Sequence, residues 1–115
     1  MKLVAYYSRG GENHFGGQKI YLEKGNTQKV AELIADKLGA DTFKIEPLVP
    51  YSENYDECVR EVVADFRNNA RPELKENLES IDKYDEIYLG YPNYCGDMPK
   101  VVYTFLESFD FTNKI

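Results

Sequence analysis

At 115 residues with 43% hydrophobic side chains, the chain is sized for one domain around one modest core. Its 14 basic and 20 acidic side chains give a net charge of −6, which argues against non-specific binding to nucleic acid and suits a cationic partner or simple solubility. No leader of signal-peptide type and no apolar run near the ~18 residues of a membrane span is found, so the expected location is cytoplasmic with no membrane contact.

Leu3-Val4-Ala5-Tyr6-Tyr7 is an apolar run too short for a buried helix and bounded by the polar Ser8-Arg9-Gly10-Gly11. It reads as a strand covered on both faces, the centre of a parallel sheet. From Gln28 the spacing of Val30, Ala31, Leu33, Ile34 and Leu38 predicts a helix with one apolar face, Asn26 or Thr27 as its N-cap and Gly39 just past its end. Strand, loop and helix therefore meet at a helix N-terminus flanked by the hydroxyls of Ser8 and Thr27, which favours a phosphate by hydrogen bonding and by the helix dipole. Gly, Asn and Thr also serve tight turns and caps, so this stretch alone does not separate the two roles. Between strand and helix, Gly10 to Lys24 is longer than the usual connection and contains an alternating Ile20-Tyr21-Leu22. It forms a short extension or hairpin arm, either a lid or an ornament.

Asp41 to Glu46 alternates polar and apolar residues before Pro47 and Pro50, as an edge strand does. Tyr55, Cys58, Val59, Val62 and Phe66 recur at helical spacing, with Ser52 or Asn54 as cap; Cys58 falls on the apolar stripe as a small buried hydrophobe. Glu86 to Tyr91 is a third strand, followed by the turn-rich Pro92-Asn93-Tyr94-Cys95-Gly96-Asp97-Met98-Pro99 and a third helix with Val101, Val102, Phe105, Leu106 and Phe109 inward. Tyr6, Tyr7, Tyr88 and Tyr91 are expected to be packing residues. Cys58 and Cys95 sit in unrelated patterns, against a disulfide framework or a CxxC pair, and the single His14 leaves little for a histidine-rich metal site or a Ser-His-Asp triad. Three strand-helix units in alternation build a three-layer α/β domain on a parallel sheet, whose ligands sit at the carboxyl ends of the strands.

The chain resembles the flavodoxin-like family, and more closely the flavodoxins of Gram-positive bacteria. The resemblance runs through Tyr6-Tyr7-Ser8-Arg9, Gly25-Asn26-Thr27 into Val30-Ala31, Gly39-Ala40-Asp41, Asn69-Ala70-Arg71-Pro72-Glu73-Leu74, Tyr84-Asp85, Gly90-Tyr91-Pro92-Asn93-Tyr94, Gly96, Met98-Pro99 and Thr104-Phe105-Leu106-Glu107. It implies sheet order 2-1-3 and non-covalent FMN, with Ser8, Asn26 and Thr27 on the phosphate and Pro92, Asn93, Tyr94, Cys95 and Gly96 beside the flavin ring. It also implies electron transfer with redox partner proteins, Gly96 being free to turn its carbonyl toward the flavin. Cys95 stands where relatives commonly show Trp and Asp97 where they commonly show Thr; the first weakens ring packing and the second lowers the potential. The family has two further strand-helix units, so this chain is expected to be a truncated form whose bare third strand pairs with a second copy in a homodimer. Two other functions stay open, a flavin-dependent NAD(P)H:quinone-type reductase and a flavin-free remnant that acts as an assembly module.

Overall fold

A computed structural model describes residues 1–115 except Gly16 and Cys95; of His14 and Phe15 it describes the backbone only. The chain runs β1 (Lys2–Tyr6), β2 (Gly11–Phe15), β3 (Gln18–Leu22), α1 (Asn26–Leu38), β4 (Asp41–Lys44), α2 (Tyr55–Arg67), β5 (Glu86–Gly90) and α3 (Lys100–Glu107). β1 is the centre of a parallel sheet of order β4-β1-β5, the expected 2-1-3, and β2 and β3 form a separate antiparallel hairpin out of the long first connection. The excursion is thus a hairpin arm. Among the described residues no helix is long and apolar enough to cross a membrane.

Alternation along β1 sends its side chains to two cores. Leu3, Ala5 and Tyr7 join Ile45, Ile81, Tyr84, Val101, Val102 and Phe105 on the α3 side, while Val4 and Tyr6 meet Ala31 and Ala35 of α1 on the other. The larger core is lined by aromatic pairs: Phe105 stacks on Phe43 at 5.6 Å and meets Phe109 edge-on at 5.6 Å. Phe109 lies beyond the end of α3, yet its inward placement holds.

Two expectations are corrected on the α1 side. Val30 and Leu33 are 56% and 57% exposed and Leu38 is partly exposed, because α1 approaches the sheet through the small Ala31 and Ala35 rather than through its larger apolar residues. Tyr88 and Tyr91 are also exposed, since β5 is an edge strand and no described helix covers its outer margin. Tyr6 and Tyr7 are buried as expected.

Candidate functional site

The carboxyl ends of β1 and β5 lead into the two loops that resemble a flavin site. At the first, α1 has Gly25 as N-cap, not Asn26 or Thr27; neither makes a capping bond with its side chain, and both stand in the first turn. The cap comes instead from the end of β1, where Ser8 Oγ accepts from the Gln28 N–H at 3.0 Å. This contact requires Gly25. A Cβ there would lie 2.2 Å from Ser8 Oγ and 2.6 Å from the Arg9 carbonyl oxygen. The glycine lets the helix start close against the loop, so that the N–H groups of Asn26 and Thr27, which have no intrahelical acceptor, open beside Ser8. No acidic residue stands in this first turn. A hydroxyl, free N–H groups and the positive helix end suit a phosphate, and the residues present fit that part of FMN.

At the second loop Tyr94 and Asp97 exchange backbone bonds at 2.9 and 3.0 Å, closing a tight turn whose Gly96 has φ 80°, the left-handed region. Asp97 is tied to the following helix: its carboxylate accepts from the Met98 N–H at 2.6 Å and from the Tyr103 hydroxyl at 2.8 and 2.9 Å. The Tyr103 bond, then the Met98 N–H, hold the Asp97 carboxyl below its ordinary value, so it stays ionised at neutral pH. Tyr94 turns its ring inward, edge-on to Tyr7 at 6.0 Å, and burial pushes its hydroxyl up to about 12. Tyr7 in turn meets Tyr51 at 6.4 Å, and the Tyr51 hydroxyl donates to Asp65. Cys95, expected beside the ring, lies outside the described residues.

Two clefts open at this rim. One, of about 430 Å³, includes Tyr7, Ser8, Arg9, Gly10 and the Pro47–Glu53 region; the other, of about 390 Å³, includes Arg9, Asn13, Tyr55, Cys58, Pro92, Asn93 and Tyr94. Ser8 thus lines one cleft, Pro92, Asn93 and Tyr94 line the other, and Asn26, Thr27 and Gly96 line neither. Arg9 borders both. Its guanidinium donates to the Ser52 carbonyl at 2.7 and 3.1 Å, to the Glu53 carbonyl at 2.7 Å and to the Glu12 carbonyl. It therefore ties the hairpin and the segment before α2 to the end of β1. Sequence reasoning left Arg9 without a role, because its Ser52 and Glu53 partners are 43 and 44 residues away and its near partner, Glu12, is engaged through a backbone carbonyl that residue type does not reveal. Cys58 is buried, free and raised in pKa by that burial, as its place on the apolar stripe implies, and it also lines the second cleft. Among the described residues no cluster of His, Cys, Asp and Glu forms a metal site.

Comparison with known proteins agrees with this geometry. The family model described as Flavodoxin matches residues 1–115. No curated protein matches. Two crystal structures of proteins named as putative flavoproteins are similar. That from Bacteroides uniformis has TM-score 0.70 and 27% identity, over 98% of this chain and 66% of its own. That from Bacteroides eggerthii has TM-score 0.77 and 26% identity, over 98% of this chain and 65% of its own. The chain therefore spans just under two thirds of the length of these relatives. The family match over every residue, on a parallel α/β sheet with a phosphate-suited turn after its central strand, shows that this chain belongs to the flavodoxin family and has a flavin-binding fold.

Proposed function

We propose that the chain binds FMN and transfers electrons to and from redox partner proteins. The observation that carries this reading is the start of α1: a dipole end free of carboxylates, capped from β1 by Ser8, and brought close by a glycine with no room for a Cβ. The Ser8 and Thr27 hydroxyls and the N–H groups of Asn26 and Thr27 would hold the FMN phosphate. Pro92, Asn93, Tyr94, Cys95 and Gly96 border the ring. The flavin supplies the redox chemistry when bound; the chain sets its orientation and electrostatics. Gly96, already at positive φ, can turn its peptide without a side-chain penalty, and its carbonyl would then accept a hydrogen bond from an N–H of the flavin ring. Asp97 contributes a negative charge that opposes an anionic reduced flavin and lowers the potential. The net charge of −6 steers basic redox partners onto the surface.

The test is an FMN titration followed by reduction. Quenching of FMN fluorescence at one flavin per chain, with reduction that requires an added reductase, is the expected result. Steady turnover of NADPH and a quinone by the chain alone would make it a reductase instead. Folded protein that leaves FMN fluorescence unchanged would overturn the flavin reading. Within this reading, Gly96→Ala lowers the yield of one-electron-reduced flavin in a redox titration; an equal yield would remove Gly96 from its assigned part.

A further inference from the structure

The segment Asn69-Ala70-Arg71 takes no part in the flavin reading, yet its contacts lead to the loop that reading sets beside the ring. Asn69 directly follows Asn68, the C-cap of α2, at φ 47°, and its Oδ1 accepts from two cations, Arg71 Nη1 at 3.0 Å and Lys100 Nζ at 3.1 Å. Both cations also lie over the ring of Tyr103, Lys100 Nζ at 4.5 Å and the Arg71 guanidinium carbon at 4.9 Å from its centroid. Tyr103 in turn donates its hydroxyl to the Asp97 carboxylate at 2.8 and 2.9 Å. Asp97 closes the Gly96 turn through its backbone bonds with Tyr94. A side-chain amide at the end of α2 is thus joined to the Gly96 turn through one tyrosine.

The needs of the helices alone do not account for this arrangement. Lys100 is the first residue of α3, where the helix dipole opposes a cation. It is also the one buried charged side chain among the described residues, at 8% exposure, and an ammonium is costly to desolvate. What offsets these costs comes from the end of α2 and from Tyr103: the Asn69 oxygen, the Phe66 ring at 5.1 Å and the Tyr103 ring. Arg71 is held in place by Glu107, which accepts from its Nε at 2.9 Å. At the φ of Asn69, glycine is the residue of least strain. What asparagine adds there is the acceptor.

We propose that Asn69, Arg71, Lys100 and Tyr103 form a positioning clamp on the Gly96 turn, one that holds the Asp97 carboxylate toward α3 and offsets its charge with two cations, so that bound FMN keeps a higher potential than an unclamped Asp97 would leave it. The flavin part rests on the FMN reading; the hold on the turn does not. The Lys100 charge also acts on Asp97 directly and helps to keep its carboxyl below the ordinary value. None of the four residues needs to touch the flavin, since the clamp works through Asp97.

The test uses Asn69→Gly, which keeps the backbone conformation and removes the acceptor, and Tyr103→Phe, which keeps the ring and removes the hydroxyl. In the chain without flavin, the Asp97 amide, bonded to the Tyr94 carbonyl at 3.0 Å, should exchange about tenfold faster in both variants. In a redox titration with FMN, the ratio of the dissociation constants of reduced and oxidised FMN should rise about threefold in both, the scale of one partly exposed charge contact. In an Asp97→Asn background, Tyr103→Phe should change that ratio no further, because the charge it acts on is gone. Asn54→Ala, which lowers stability at the other end of α2, should alter neither reading. Unchanged exchange at Asp97 in either variant overturns the clamp. Faster exchange with an unchanged or lower ratio overturns its part in the potential, and so does a Tyr103→Phe effect on the ratio that persists without the Asp97 charge. If the parent chain does not bind FMN, the FMN reading fails and the potential claim with it, while exchange alone decides whether the turn is clamped.

Discussion

Helix α2 starts at Asn54, whose Oδ1 accepts from the Glu57 N–H at 3.0 Å, and Glu12 of the hairpin reaches across to accept from the Tyr55 N–H at 3.0 Å. Asp56 and Glu57 stand in its first turn. Helix α1 starts at Gly25, with no acidic residue in its first turn and no cap from its own segment; Ser8 accepts one N–H from outside. The two helices have the same length, 13 residues each, and so present similar dipoles. α2 answers its positive end with the protein's own oxygens, which makes that end a structural joint for the hairpin. α1 receives no carboxylate in its first turn, and the proposed reading gives the rest of its end to the FMN phosphate. The contrast separates a helix start that stabilises the fold from one that is kept available, and composition alone does not distinguish them.

Gly25→Val breaks the contrast most severely. Its side chain enters the space of Ser8 Oγ and the Arg9 carbonyl, costs about 1–3 kcal/mol of stability by overpacking, and lowers FMN affinity by about 100-fold or more. Chemical denaturation and fluorescence titration read the two effects, and an affinity equal to the parent's would remove the close approach from the account. Ser8→Ala leaves the Gln28 N–H uncapped; a loss of about 1 kcal/mol is expected, together with roughly tenfold weaker FMN binding. Asn54→Ala is the counterpart on α2, where a similar loss of about 1 kcal/mol should leave FMN affinity unchanged. If Asn54→Ala weakens FMN as much as Ser8→Ala does, the two helix starts are not functionally distinct. Asn26→Asp makes α1 resemble α2: about 0.3–1 kcal/mol of added stability without ligand, and weaker binding of the phosphate. The smallest effect concerns pH. Because Tyr103 and the Met98 N–H hold Asp97 below its ordinary pKa of 3.8, their contribution is fully present above that value and is lost as pH falls through the lowered one. Asp97→Asn should therefore flatten the acid side of the stability profile, and an unchanged slope below pH 3.8 would show that the Tyr103 contact contributes nothing.

Local patterns carried most of the architecture. The β1 run, the α2 stripe with its Asn54 cap, the turn before α3 and the parallel sheet follow from periodicity, punctuation and the crossover rule, while the sheet order came from the family resemblance. The face of α1 was misread because Val30 and Leu33 satisfy helical spacing as well as Ala31 and Ala35 do, and only the approach distance at β1 decides which pair is buried. The cap of α1 was misplaced by one or two residues for a similar reason. Asn26 and Thr27 are good caps by residue type, but the steric gap at Gly25 and the oxygen of Ser8, 20 residues before Gln28, are tertiary facts. Arg9 and its carbonyl partners before α2 belong to the same class.

The most direct measurement is a paired titration of the chain with FMN and with riboflavin, which lacks the phosphate. The account predicts that FMN binds at least 100-fold more tightly, since the start of α1 and Ser8 act on the phosphate alone, about 2.7 kcal/mol at 1.36 kcal/mol per tenfold. Equal affinity for the two ligands, or binding of neither, would contradict it.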